Sequence, residues 1–319
     1  MIEEKSILFN DFLQKWLGDI KLMHAPSTYV KYQQLAAKHI IPYFKDVPLQ
    51  EITKEVLEKF RDILQEEQPE TPGEKRSKGT VHSVLMLINQ IMKMAYQQKL
   101  VTEPAAVSFG RRKRKTIVRV FSSTDLPKLE HFIKANPSNA NRGIYLCLYT
   151  GLRLGELCAL KWEDVNLHEG YLHIKSTVQR LPIDKDDSGG KTALALSPPK
   201  SSSSQRLVPI PSSIIPDLKK WAQNASPGNF ILTDHPNHPM EPRTMQYQYK
   251  RCLAYAGVPY LNFHTLRHTY ATRCINLGID PKTLSEILGH SDIKITMDYY
   301  FHSSFEFKKN QIERLNTFT

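Results

Sequence analysis

Four cysteines in 319 residues are too few for the disulfide framework of a small secreted fold. Cys147, Cys158, Cys252 and Cys274 also form no C-x-x-C pair of the kind that builds a zinc knuckle. Each sits in an apolar stretch of helical periodicity, where a reduced, buried thiol is expected. No apolar run approaches the roughly 18 residues of a membrane span. The amino terminus, MIEEKSILFNDF, is acidic and lacks the basic and apolar regions of a secretion signal. The expectation from these absences is a cytosolic chain away from membranes. Acidic residues are scarce too: 32 Asp and Glu against 43 Lys and Arg leave a formal charge of +11 and a pI near 9.3. Such a balance favours a polyanionic partner through phosphate contacts and counterion release, although unrelated basic proteins share it.

What is present divides in two. With 40% apolar residues the chain can fill more than one core. Residues 1–108 read as an all-helical domain. Phe9, Phe12, Leu13, Trp16, Leu17 and Ile20 make one amphipathic face. Ser27 is placed to cap a second helix ending near Pro42, and Val56, Leu57, Phe60, Ile63 and Leu64 mark a third. After the break QPETPGEKRSKG comes a long helix over residues 80–100, with Met86, Met92 and Met94 expected as core filler. Lys75, Arg76 and Lys78 stand before it, either to meet phosphates or as a solvated face. Residues 109–120 form a linker, because Arg111, Arg112, Lys113, Arg114 and Lys115 repel one another and cannot be buried together. A tether lying along a polyanion fits this run.

Residues 121–319 read as a second, mixed α+β domain. Ser123 is its first expected cap, GIYLCLYTG a buried helix, and GLRLGELCALKWEDV a helix with Arg153 at its start and Glu156 one turn on. In isolation that Arg-x-x-Glu pair reads as a surface salt bridge worth under about 1 kcal/mol. Residues 171–178 alternate as a strand, Leu194-Ala195-Leu196 follows a polar insertion, and RLVPIP closes a three-stranded antiparallel sheet after a serine-rich turn carrying Lys200. NFILTD offers one more short strand, and two helices flank it.

The densest chemistry lies in residues 262–302, NFHTLRHTYATRCINLGIDPKTLSEILGHSDIKITMDYYFH. His264 and Arg267 share a helix face. Leu266, Tyr270, Cys274 and Leu277 form a separate apolar stripe, so the polar pair stands beside the core. Gly278 and Pro281 separate two helices, and Gly289 ends the second just before His290. Tyr300 comes ten residues after His290.

Taken in order, Arg153 in TGLRLGEL, Lys200 in a β-turn, His264-x-x-Arg267, His290 in LGHSD and Tyr300 resemble the tyrosine recombinase, or phage-type integrase, family over nearly the whole chain. The residue types suit the chemistry. Breaking a phosphodiester through a covalent intermediate needs a nucleophile, cations for the phosphorane charge and a proton for the departing 5′-oxygen. A tyrosine hydroxyl, with an ordinary pKa near 10, needs neighbouring cations or a base to attack at neutral pH. Two guanidiniums can clasp non-bridging oxygens in a planar fork that lysine cannot reproduce. The resemblance implies Tyr300 as nucleophile, Arg153 and Arg267 as charge stabilisers, and Lys200 as general acid. It further implies His264 as hydrogen-bonding base, His290 as a phosphate contact and Glu156 as a supporting carboxylate. It implies strand exchange through a 3′-phosphotyrosine with no metal or cofactor.

Tyr299 adjoins Tyr300, and Lys175, Lys185 and Lys191 also flank the strands, so both assignments rest on spacing. A metallohydrolase built on His264, His268 and His290 is a rival, but Thr265 stands where H-E-x-x-H has its glutamate. A DNA-binding protein without catalysis predicts gaps in the constellation, and none is seen. The implied architecture is a C-shaped clamp of a helical core-binding domain and a catalytic domain around double-stranded DNA carrying specific recombination sites. The implied assembly is a homotetramer on two sites, joined through the tail after His302 with Phe305 and Leu315 as apolar contacts, and open to an accessory directionality factor in the bacterial cytosol, close to the nucleoid. The insertion near Pro182 and the PPKSSSSQR turn look like integrases of phages and conjugative transposons. Alternatives are an Xer-like dimer resolvase and a type IB topoisomerase.

Overall fold

The computed structural model describes residues 7–66, 76–109, 118–182, 192–198 and 205–300, with 309, 312 and 313. The chain separates into two compact units, Met1–Arg114 and Lys115–Thr319.

In the first unit, α1 (Phe9–Met23) turns Phe9, Phe12, Leu13, Trp16, Leu17 and Ile20 inward, as their spacing requires. Helix α2 (Pro26–Leu35) begins at Pro26 rather than behind a Ser27 cap. A proline costs nothing in the first turn, where its missing N–H has no partner to lose. The chain also continues past the predicted stop at Pro42: a π turn (Ala36–Ile40) leads into α3 (Ile41–Phe44). The wider turn opens the hydrogen-bond ladder ahead of the residue that cannot donate. Helix α4 (Lys54–Glu66) follows, and α5 (Lys78–Gln97) starts two residues earlier than predicted, because the Ser77 hydroxyl accepts the Thr80 N–H at 3.0 Å. Met92 is core filler, but Met86 lies on the outer side of α5 and is half exposed.

In the second unit, α6 (Asp125–Ala135) is capped by Ser122, whose hydroxyl accepts the Asp125 N–H, and not by Ser123. Helix α7 (Asn139–Thr150) is buried along most of its length and packs against α10 (Pro242–Tyr255) and α11 (His264–Asn276). It ends at Gly151 in the left-handed region, φ 65°. A Cβ there would stand 2.5 Å from the Tyr270 ring and 2.9 Å from Leu288, so glycine is needed for conformation and space alike. Helix α8 is only Leu154–Ala159, shorter than its apolar pattern predicts, because the chain becomes extended at Leu160.

The strands differ from the sequence reading. The antiparallel three-stranded sheet is β1 (Val165–Asn166), β2 (Tyr171–Ile174) and β5 (Arg206–Pro209), with β2 in the middle. The stretch predicted as one strand over 171–178 breaks at Lys175, which forms an ion pair with the buried Asp164 at 2.7 Å. Its later half becomes β3 (Thr177–Pro182), which pairs with β4 (Thr192–Ser197) as a separate two-stranded ribbon. NFILTD supplies one isolated bridge, Lys161 to Phe230, in place of a strand. Helices α9 (Ile215–Ala222), α12 (Pro281–Leu288) and α13 (Ile293–Tyr300) complete the unit. Among the described residues no helix is long and apolar enough to cross a membrane.

Candidate active site

Helix α12 ends where the interior needs hydrogen-bond donors. The last carbonyls of any helix lack partners within it and carry the negative end of its dipole. Here three consecutive carbonyls are each taken by a different arginine. Arg206 Nε donates to Ile287 O at 2.6 Å, Arg267 Nη2 to Leu288 O at 2.7 Å, and Arg153 Nη2 to Gly289 O at 2.7 Å. Gly289 itself adopts the left-handed conformation, φ 65°, that turns the chain toward His290.

The same three arginines come from distant elements. Arg153 caps α8, where its own N–H donates to Glu156 Oε2 at 2.9 Å and its Nη1 to Oε1 at 2.7 Å. Arg206 opens β5 and reaches both oxygens of Glu156, each at 3.0 Å. Arg267, on α11, is 1% exposed and also donates to Gly151 O at 2.9 Å. Glu156 is 4% exposed. It is thus a buried carboxylate shared by two guanidiniums, not half of the surface pair that Arg-x-x-Glu suggests by itself. Burial alone would raise its pKa, but the hydrogen bonds and charge of Arg206, joined by Arg153, hold it below the usual carboxylate range. Arg267 likewise departs from the sequence reading. It lies within the core rather than beside it, while Leu277, predicted for the apolar stripe, is 80% exposed just beyond α11.

Two histidines face this positive charge. His264 is brought down to about 4 by burial, then by His268, Arg267 and Arg153. His290 is brought down to about 3 by burial and by Arg267, Arg153 and His264. Both rings are therefore neutral at pH 7. Nδ1 of His290 stands 2.8 Å from the hydroxyl of Thr296, a fully buried residue of α13. A neutral His290 can offer an Nε2–H to an anion when that hydroxyl donates to Nδ1. The arrangement suits a tetrahedral anion: three guanidiniums outweigh one carboxylate, and a neutral imidazole has a pre-aligned ring.

The low histidine values carry a pH consequence. As pH falls, the unfolded chain, with ordinary values near 6.5, takes up these protons before the folded one does. Stability is then complete above about pH 6.5. It declines as pH drops toward about 4 for His264 and about 3 for His290. His264 keeps solvent access, which reduces its share. Urea midpoints at pH 7 and pH 4.5 are expected to show this loss, and to show a smaller one in His290→Gln.

The remaining predicted residues are placed as follows. Tyr300 is the last residue of α13, directly after Tyr299. Lys175 is engaged with Asp164. Arg76 and Lys78 stand at the start of α5. Lys75, Arg111, Arg112, Lys113, Arg114, Lys115, Lys185, Lys191, Lys200, Phe305 and Leu315 lie outside the described residues. For the metallohydrolase rival, the His264 and His268 rings meet edge to face, centroids 4.6 Å apart. Among the described residues no group of three or more His, Cys, Asp or Glu side chains is arranged to hold a metal. Arg206 is the residue that sequence reasoning left without a role. Its signal was the alternation of RLVP, which puts Arg206 on the same face as the buried Val208.

The chain is similar to known proteins over most of its length. The profile of the phage integrase family matches residues 119–306, and that of the phage integrase N-terminal SAM-like domain matches residues 8–65. A tyrosine recombinase XerC-like protein of Caldanaerobacter subterraneus is 26% identical, over 99% of this chain and 84% of its own. A putative prophage phiRv2 integrase of Mycobacterium tuberculosis is 24% identical, over 91% of this chain and 73% of its own. Among solved structures, the Tn1549 transposon integrase in complex with a circular intermediate DNA has a similar fold. Its TM-score is 0.73 at 19% identity, over 95% of this chain and 99% of that one.

Proposed function

Because the chain belongs to the phage integrase family of tyrosine recombinases, enzymes that cleave and rejoin DNA, we propose that it integrates and excises a mobile element. The observation that carries the strand-cleavage part of this reading is the gathering of Arg153, Arg206 and Arg267 about Glu156 and the end of α12, beside two neutral histidines. They lie in the same unit as α13, which ends at Tyr300.

In this reading Tyr300 Oη attacks the scissile phosphorus, the bond to the 5′-oxygen breaks, and a 3′-phosphotyrosyl bond remains. The phenolic proton passes to His264, and Lys200 protonates the departing 5′-oxygen. Arg153 and Arg267 stabilise the non-bridging oxygens, His290 donates one further hydrogen bond, and Glu156 orients Arg153. The new bond keeps the energy of the broken one, so a 5′-hydroxyl of another strand can resolve it without a cofactor. Residues 1–108 would bind the core site. Residues 109–120 would track phosphates through Arg111, Arg112, Lys113, Arg114 and Lys115, aided by Lys75, Arg76 and Lys78. The working assembly is a tetramer on two DNA sites joined through the tail, in the cytosol, with room for a directionality factor.

The mobile-element role is supported by the prophage integrase among the relatives. An Xer-like resolvase is the second reading, favoured by the relative matched over 99% of the chain. DNA ends recovered covalently attached to the protein in its host distinguish them: element ends joined to an attachment site support integration, and a single chromosomal or plasmid locus supports resolution. The chemistry is tested by incubating the full chain, in EDTA, with nicked duplexes that it selects from a random-sequence pool. A protein–DNA adduct at the 3′-phosphate is expected. Cleavage that disappears in EDTA would return the metallohydrolase.

A further inference from the structure

Arg206 is a buried cation to which none of the steps above gives a part. Its side chain is 6% exposed. It opens β5, and strand alternation sends it inward with Val208. There it forks onto both oxygens of Glu156 and donates through Nε to Ile287 O. Glu156 is simultaneously held by the guanidinium and the N–H of Arg153. One buried carboxylate is therefore divided between two cations, and the division has a consequence for the site. Without Arg206, the full charge of Glu156 would fall on Arg153, the cation that stands nearest Gly289 and is only partly covered, at 34% exposure.

We propose that Arg206 is a positioning residue of the cleavage site: it neutralises Glu156, so that the charge of Arg153 stays available to the scissile phosphate, and it ties the start of β5 to the end of α12. This rests on the reading of Arg153 as a phosphate-binding group and of Tyr300 as the nucleophile. The fork geometry is essential to it. A guanidinium satisfies two carboxylate oxygens and a carbonyl from one rigid plane, whereas an ammonium offers a single point of charge. The carbonyl of Ile287 lies three residues before His290, so the same side chain that balances Glu156 also fixes where the histidine turn begins.

A double-substitution cycle separates this role from simple support of the fold. Adduct formation is measured in single turnover on the nicked duplex for the unsubstituted chain, Arg206→Met, Glu156→Gln and the double variant. Equilibrium DNA binding and melting temperature are measured in parallel. Arg206→Met is expected to slow adduct formation roughly 100-fold while changing DNA binding less than about threefold. Adding Glu156→Gln removes the carboxylate that would otherwise capture Arg153, and is expected to recover at least about tenfold of the rate. A folded double variant as slow as Arg206→Met, or slower, overturns the proposal, and so does a rate that recovers only in step with the melting temperature, because a purely structural ion pair relieved of its unbalanced carboxylate regains both together. If Arg206→Met does not fold, Arg206→Gln, which keeps a donor for Ile287 O, takes its place in the same cycle with the same criteria. Absence of any adduct from the unsubstituted chain overturns the underlying phosphotyrosine reading instead, which keeps the two failures apart.

Discussion

Tyr300→Phe abolishes the covalent adduct, with a loss of at least about 10³-fold, while Tyr299→Phe retains it; this is the largest effect expected of any single substitution in the chain. In the proposed mechanism Tyr300 Oη is the atom that becomes bonded to phosphorus, and removing it leaves the arginines about Glu156 in place. Thr296, one turn earlier, is buried and bonded to His290, so its direction marks the side of α13 that adjoins the site. At about 100° per residue, position 300 lies about 40° round the helix from Thr296, and position 299 about 60° in the opposite sense. The two positions diverge by a full residue step and cannot serve one phosphate interchangeably. Denaturing gels of the nicked-duplex reaction check the pair, and an adduct formed by Tyr300→Phe would move the nucleophile to Tyr299.

Arg267→Lys is the second large effect, and it strikes stability as well as cleavage. Arg267 is among the largest fully buried side chains and bridges Gly151 O to Leu288 O, the ends of α7 and α12. A lysine cannot reach both carbonyls from one plane. Each buried carbonyl left without its donor costs about 1–3 kcal/mol. At roughly 2–4 °C per kcal/mol for a unit of this size, the melting temperature should fall by about 5–20 °C. Adduct formation on the nicked duplex should fall by about 10²-fold or more, because the transition-state charge loses a dry, oriented guanidinium. A melting temperature equal to that of the unsubstituted chain would show that the two carbonyls do not depend on Arg267.

The mainly helical class, the small antiparallel sheet and the family were legible in the sequence because they rest on patterns spanning many residues. The inward face of α1 repeats over four turns, and the Arg, His-x-x-Arg, His and Tyr positions keep their order across the catalytic unit. What stayed hidden depends on contacts made across long separations. Glu156 looked like a surface partner of Arg153 because the second cation that buries it, Arg206, lies fifty residues later on a strand of only four. Arg267 looked peripheral because helical periodicity reports which face is apolar, not that a charged side chain will be drawn inside to close two helix ends. The break at Lys175 and the continuation through Pro42 are instead local events. One was decided by a buried aspartate and the other by a single wide turn, and neither leaves a periodic trace.

The three terminal carbonyls of α12 have a consequence for speed. In water, a phosphorane that gathers charge must wait for solvent dipoles to swing round, and that reorientation is part of the barrier. Here the swing is completed when the chain folds. Ile287, Leu288 and Gly289 already hold Arg206, Arg267 and Arg153 and fix their planes. In the proposed reaction, the field that meets the phosphate is consequently a property of the folded backbone, and fraying the last turn of α12 would slow cleavage even with every proposed catalytic side chain still in the sequence.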